Sequence, residues 1–284
     1  METAKEKNFN EIVKSVLKKY GIVSSQKYIY HYTNASGLEG ILKTKQLWFT
    51  ERNYMNDIYD EKNVKKYIKE NFGKAINFKG SVLEETLIPN ITQYVFSTTP
   101  EKDVIHQWAY YGKGDSYCIE LERKKLIDYL YDIKDENEAF YYGPVLYDDK
   151  IKIQIINDVA NDYKNSVLKS LDSPIFDARN SEHIKIAKNV YRYFYSLIKQ
   201  YGHYCEKEYR FLFETTKEPE FRTKDGLFIP YQIIENRSMK LPINKIIIGP
   251  SNHEEVAKDG LRLFLKKYYW ENVKIEKSKL SVRD

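Results

Sequence analysis

Cysteine is nearly absent. Cys118 and Cys205 are the only two in 284 residues. That is too few, and too widely spaced, for a disulfide framework or a zinc cluster, and it fits a reducing cytoplasm. No stretch approaches the ~18 consecutive apolar residues of a membrane span. The opening Met1-Glu-Thr-Ala-Lys-Glu-Lys7 has no apolar core for a signal peptide, so a cytoplasmic chain with no membrane partner is expected. The glycines form neither Gly-x-x-x-x-Gly-Lys-Ser/Thr nor Gly-x-Gly-x-x-Gly after a strand, which removes the phosphate-cradling loops. Excess charge is slight: 46 Lys+Arg against 41 Asp+Glu leave +5, with no clustered basic run. A nucleic-acid partner is permitted but not demanded. What the chain has in quantity is tyrosine, 26 residues beside 13 Phe. Tyrosine sits half-buried with its hydroxyl in water, so many partly exposed rings are expected.

Apolar periodicity divides the chain as follows. Phe9, Ile12, Val13, Val16, Leu17 and Tyr20 mark an amphipathic helix that stops at Gly21. Lys27 to Thr33 is a β-rich run. Asn34 or Ser36 caps a helix with Leu38, Ile41 and Leu42 inward, and Leu47-Trp-Phe-Thr50 returns as a second short strand. Asn53 to Glu61 is a polar stretch rich in acids, read as a loop capping a helix from Asp60 or as the lining of a cleft. Further strands are expected at 93–98, 116–121, 143–147, 227–230, 245–250 and 273–280. Helices are expected at 105–111, 151–171, 182–201 and 254–267. Val256, Leu261, Leu263 and Phe264 form the apolar set of the last one. No repeat, linker or low-complexity tract interrupts this order. The expectation is one α+β domain with a mixed sheet, 1–25 being a helical extension and 26–284 the core.

One stretch carries unusual chemistry. From Cys205 onward, Cys-Glu-Lys-Glu-Tyr-Arg-Phe-Leu-Phe reads as a strand, with Glu206, Glu208 and Arg210 on one face and Tyr209, Phe211 and Phe213 on the other. Two like charges on one face need a cation, a hydrogen-bonding ligand or a shared proton. Arg210 supplies one cation, and the plain alternative is an exposed edge strand with an internal ion pair. His31 lies near the end of its strand beside Tyr32 and Thr33, where loops adjoin and sites are built. Trp108 is expected in the core.

These pieces, in this order, resemble the bacterial domain-of-unknown-function 2971 family. The resemblance rests on His31-Tyr32-Thr33 with Leu38-x-x-Ile41-Leu42, Asn56-Asp57, and Trp108-x-x-Tyr111 leading to Cys118-Ile119-Glu120. Glu206-x-Glu208-x-Arg210 and Ile246-Ile-Ile-Gly-Pro250 complete it. The chain departs from the family at Ile58-Tyr59-Asp60, often Pro-Phe-Glu, and at Tyr204, often Trp. The layout is also similar to ADP-ribosyltransferases, whose mixed split β-sheet carries a His or Arg on the first strand and a catalytic Glu at the start of a later one. That likeness is an analogy at the level of fold.

The second resemblance implies NAD as substrate and no metal. Glu208, Glu206 and His31 are then the catalytic candidates. His31, Tyr32, Thr33, Phe49, Tyr54, Asn56 and Arg210 are the candidates for holding NAD, with Phe49 or Tyr54 stacking on nicotinamide. Trp48 to Thr50 is the second-strand set. The acceptor of ADP-ribose is nucleic acid or protein. The first family's phage-defence settings imply a toxin-like effector restrained by an antitoxin or chaperone partner. Three other readings stay open: an NAD glycohydrolase of the same fold, a non-catalytic nucleotide-sensing or nucleic-acid-binding module, and a metal-dependent nuclease using Asp57, Glu206 and Glu208.

Overall fold

In the computed structural model, residues 4–22, 26–55, 92–112, 116–135, 138–169, 189–190, 192–251 and 253–280 are described. The helices are α1 (Ala4–Lys19), α2 (Ala35–Thr44), α3 (Ile105–Gly112), α4 (Arg123–Asp132), α5 (Asp149–Lys169) and α6 (Glu254–Lys267). The strands are β1 (Tyr28–Asn34), β2 (Leu47–Glu51), β3 (Thr92–Thr98), β4 (Ser116–Glu122) and β5 (Ala139–Pro144), followed by β6 (Tyr209–Thr215), β7 (Glu220–Lys224), β8 (Leu227–Ile234), β9 (Ile243–Ile248) and β10 (Lys274–Lys277). The fold is α+β, with the strands in two sheets. A mixed four-stranded sheet has the order β1-β4-β9-β10, and an antiparallel six-stranded sheet has the order β5-β6-β3-β2-β8-β7. One antiparallel bridge joins them: Tyr30 and Thr99 exchange both backbone hydrogen bonds, at 2.8 and 2.9 Å.

Strand alternation explains the layering. Ile29 of β1, Ile119 and Leu121 of β4, and Ile246 and Ile248 of β9 face Phe49, Phe96, Phe211 and Phe213 of the larger sheet, with α2, α4 and α6 closing the cluster. The opposite face of the small sheet carries Tyr30, Tyr32, Cys118 and Ile247 against Trp108 of α3. The opposite face of the large sheet, at Val95 and Leu212, is covered by α1, α5 and Val190, Tyr193, Phe194, Leu197 and Ile198. Core side chains therefore hold both sheets together.

Local chemistry sets the boundaries. Asn34 caps α2, its Oδ1 accepting the Gly37 N–H at 2.8 Å, as its spacing before Leu38 predicts. Gly21, after α1, takes φ +71°, a conformation that costs a glycine little. The differences from expectation are informative. The expected helix over 182–201 leaves helical structure by Ser196, and Ile198 instead bridges Leu146. The expected strand from Cys205 begins only at Tyr209, because Tyr201–Glu206 is a 3-10 helix. Val256 and Leu263 are exposed on α6, which buries Leu261 and Leu265. β7 and α4 have no counterpart in the periodicity reading. Asn56, Asp57, and the helix expected after Asp60 lie outside the described residues.

Candidate active site

The centre of the site is a gap between β2 and β3. Their ladder registers only at Thr50 with Val95 and Glu51 with Tyr94. Toward Ser97, β3 stays paired to β6 alone, Ser97 lying opposite Arg210. His31 fills the place left by β2. Its Nδ1 lies 2.9 Å from the Ser97 carbonyl, and its ring stacks on Phe96 with centroids 4.4 Å apart. Burial lowers the His31 pKa, only partly opposed by that carbonyl, while Arg222 lowers it further. The imidazole is therefore neutral at pH 7. A carbonyl accepts, so Nδ1 carries the proton, and Nε2 presents a lone pair with no hydrogen-bond partner among the described residues.

On the other side of Ser97 stands Glu208. Burial pushes its carboxyl upward, but the Arg210 guanidinium and the Lys199 ammonium outweigh this and hold it at about 2. Both cations bond the same oxygen: Arg210 donates to Oε2 at 2.6 Å, and Lys199 Nζ lies 3.3 Å from it. Among the described residues no side chain other than these two cations bonds the carboxylate at full hydrogen-bond geometry, and the nearby Ser97 hydroxyl adds to the lowering. The Glu208 backbone is fixed as well. Its N–H donates to the Tyr147 hydroxyl at 2.9 Å, and its carbonyl accepts from Val145 N–H at 2.9 Å.

Glu206 does not share a strand face with Glu208. Lys207 between them adopts φ +42°, the left-handed region that costs a side-chain-bearing residue about 1–2 kcal/mol. That turn lets Glu206 reach back. Its Oε2 accepts from Lys199 Nζ at 2.8 Å, and its Oε1 lies 2.8 Å from His203 Nδ1. Its backbone carbonyl accepts from Gln107 of α3 at 3.1 Å.

The structure thus brings His31, Glu208, Arg210 and Glu206 around Ser97 and Lys199. It does not bring all the expected binders. Phe49 is wholly buried, stacked on Phe96 and edge-on to Phe140, so it is a core ring with no face for nicotinamide. Tyr32 points to the far side of β1, where its hydroxyl donates to the Glu101 carbonyl and accepts from Val104 N–H. Thr33 follows His31 by two residues and shares its side of β1, beside Gly37. Tyr54 is half-exposed on a 3-10 turn beyond Glu51 and so is displaced along β3 from Ser97. Trp108 is in the core, as expected, its indole donating to Asp103 at 2.9 Å.

Lys199, Ser97, His203 and Arg222 were not singled out in the sequence. Arg222 reaches across from β7 to donate to Thr50 Oγ1 at 2.7 Å, and lies over the rings of Trp48 and Tyr231. Trp48 and Thr50 share the sheet face of Val95 and Ser97, and Trp48 remains 37% exposed. Periodicity hid these residues: Ser97 reads as an ordinary strand position, and Lys199 as the polar side of a helix.

Residues 107–211 match the model of a family described as "Protein of unknown function (DUF2971)". The matched span contains Trp108, Lys199, Glu206, Glu208 and Arg210, so the family resemblance seen in the sequence holds where the acidic pair lies. No curated protein and no solved structure matches the chain. Among the described residues no helix is long and apolar enough to cross a membrane.

Proposed function

We propose that this protein is an NAD-dependent ADP-ribosyltransferase with Glu208 as its catalytic carboxylate. The observation that carries the reading is the set of acceptors around Ser97: neutral His31, whose Nε2 has no hydrogen-bond partner among the described residues, on one side, and ionised Glu208, whose two cations both bond Oε2, on the other. Both seek hydroxyl donors, and a ribose offers two adjacent ones. Glu208 is charged over the whole physiological range, and a fixed negative charge stabilises positive charge that develops only in the transition state.

The reaction balances as follows. The bond between ribose C1′ and the pyridinium nitrogen breaks, and its electron pair leaves with neutral nicotinamide. C1′ gathers positive charge facing Glu208. The acceptor's lone pair forms the new bond to C1′, and its proton passes to a base. Glu206, bonded through both oxygens at the edge of the site, is the group placed to orient the acceptor. Trp48 replaces Phe49 as the ring that offers a face to a flat ligand. Arg210 holds Glu208 through a short, charge-assisted bond, and its other terminal nitrogen donates to the Ser196 carbonyl at 2.7 Å, so it orients the acid rather than binding pyrophosphate. The same arrangement serves an NAD glycohydrolase when water is the acceptor.

The test is incubation with NAD labelled in its ADP-ribose half, with nucleic acid or protein present and with or without Mg²⁺. Nicotinamide release with label on the macromolecule is the expected result. Release without transferred label identifies the glycohydrolase. NAD binding without release identifies a sensing module, and nucleic-acid cleavage that needs the metal identifies a nuclease.

A further inference from the structure

Glu206 and Glu208 are two acids that bond one cation. Lys199 lies between them, its side chain almost entirely buried. Its position is set from the backbone. Lys199 N–H donates to the Leu146 carbonyl at 3.0 Å, and its own carbonyl accepts from Lys152 Nζ of α5 at 2.7 Å. Lys152 is itself buried and paired with Asp149 at 2.9 Å. The backbone that carries this side chain is therefore anchored at both its N–H and its carbonyl.

We infer that Lys199 is the positioning residue of the acidic pair: it joins Glu206 to Glu208 and fixes which Glu208 oxygen faces the ligand. The inference rests on the proposed function above for its catalytic meaning, but its geometry stands without it. Lys199 and Arg210 converge on Oε2 of Glu208, so Oε1 is the oxygen left to a substrate. The same Nζ takes Oε2 of Glu206, so Oε1 of Glu206 is left to His203. His203 is 40% exposed, and the chain of contacts runs from solvent through His203, Glu206 and Lys199 to Glu208. The other groups facing the pair are Arg210 of β6, Tyr147 from the β5–α5 connection and Ser97 of β3. Among the described residues, Lys199 is the side chain that bonds both acids.

Without Lys199 no cation among the described residues bridges the two carboxylates. Glu208 keeps Arg210, and Glu206 keeps the half-exposed His203. Glu208 then loses one of the two cations that hold its carboxyl down and must titrate higher, by about one pH unit or more. Two measurements separate this role from the enzymatic reading. The first follows the side-chain carboxyl carbon of Glu208 by NMR across pH in wild type, Lys199→Met and Lys199→Arg. An upward move of Glu208 in the Met variant, with near-wild-type titration in the Arg variant, supports the inference. Unchanged titration in folded Lys199→Met overturns it, whatever the protein does to NAD. Where Lys199→Met does not fold, Lys199→Gln keeps a donor but loses the charge, and the same comparison applies. The second measurement is the pH profile of nicotinamide release. The acid limb should move upward in Lys199→Met and return in Lys199→Arg. Absence of release from wild type contradicts the proposed function alone, and the carboxyl titration still decides the role of Lys199.

Discussion

Glu208 concentrates the physics of the site. It is ionised although buried, because two cations compensate the lost hydration. Its carboxyl is held at about 2, against an ordinary 4.5. The unfolded chain therefore binds this proton more readily, and stability rises with pH through that window. The contribution, about 3 kcal/mol by linkage, is complete above about pH 4.5 and is lost as pH falls toward 2. Glu214, raised by burial despite Arg192 and Gln93, acts in the opposite sense: its contribution fades as pH rises past 4.5. Urea unfolding between pH 3 and 6 checks this. Wild type should lose stability on acidification more steeply than Glu208→Gln, whose titrating group is gone. Equal slopes would show that Glu208 is not held ionised.

Two aromatic residues one position apart divide structure from function. Phe49→Ala removes a wholly buried ring from the core between the sheets and should cost about 3–5 kcal/mol. Trp48→Ala removes a partly exposed ring, so it should leave the fold largely intact and weaken NAD binding. Thermal unfolding and calorimetric NAD titration of both variants measure the split. The sequence drew attention to His31, Glu208 and Arg210 by their polar neighbours, but it set His31 at a strand end, whereas His31 is the central residue of β1. It did not reveal Lys199, whose partners depend on a turn rather than on any spacing.

At the scale of elements, the turn at Lys207 matters most. Reading Glu206 and Glu208 as one strand face assumes extended backbone through Lys207, and its φ of +42° breaks that alternation. No side-chain pattern announces a left-handed lysine. Lys207→Gly should relieve the backbone cost and raise stability by up to about 1 kcal/mol. It also frees Glu206 relative to Glu208, so release of nicotinamide and transfer to the acceptor should fall while stability rises. A fall in both stability and activity would mean that the Lys207–Glu101 ion pair, at 2.8 Å, outweighs the backbone term.

The regular elements were legible for ordinary reasons. α1, α2, α6, β1, β2 and β9 carry clear periods and caps, and their observed limits follow them closely. β7, Glu-Phe-Arg-Thr-Lys, escaped because it is exposed on both faces and has no alternation to read. The helix expected to end at Tyr201 was overextended because Leu197 and Ile198 continue its apolar stripe, although Ile198 is drawn into a bridge with Leu146. A stripe reports burial and does not say which backbone conformation achieves it.

At the scale of the molecule, two sheets share one aromatic and aliphatic core and separate beyond a single bridge at Tyr30 and Thr99. Within the larger sheet β2 leaves β3 beyond Thr50, and His31 and Glu208 meet Ser97 from its two sides. The α+β class and the order of strands followed from hydrophobic pattern. The division into two sheets did not, because it depends on pairings between residues far apart in the chain. The most direct test of the account is nicotinamide release from NAD by wild type and by Glu208→Gln, with circular dichroism to establish that the variant is folded. The account predicts release by wild type and a loss of about 10²–10³ in rate with NAD binding retained. A folded Glu208→Gln protein that releases nicotinamide at the wild-type rate would contradict it.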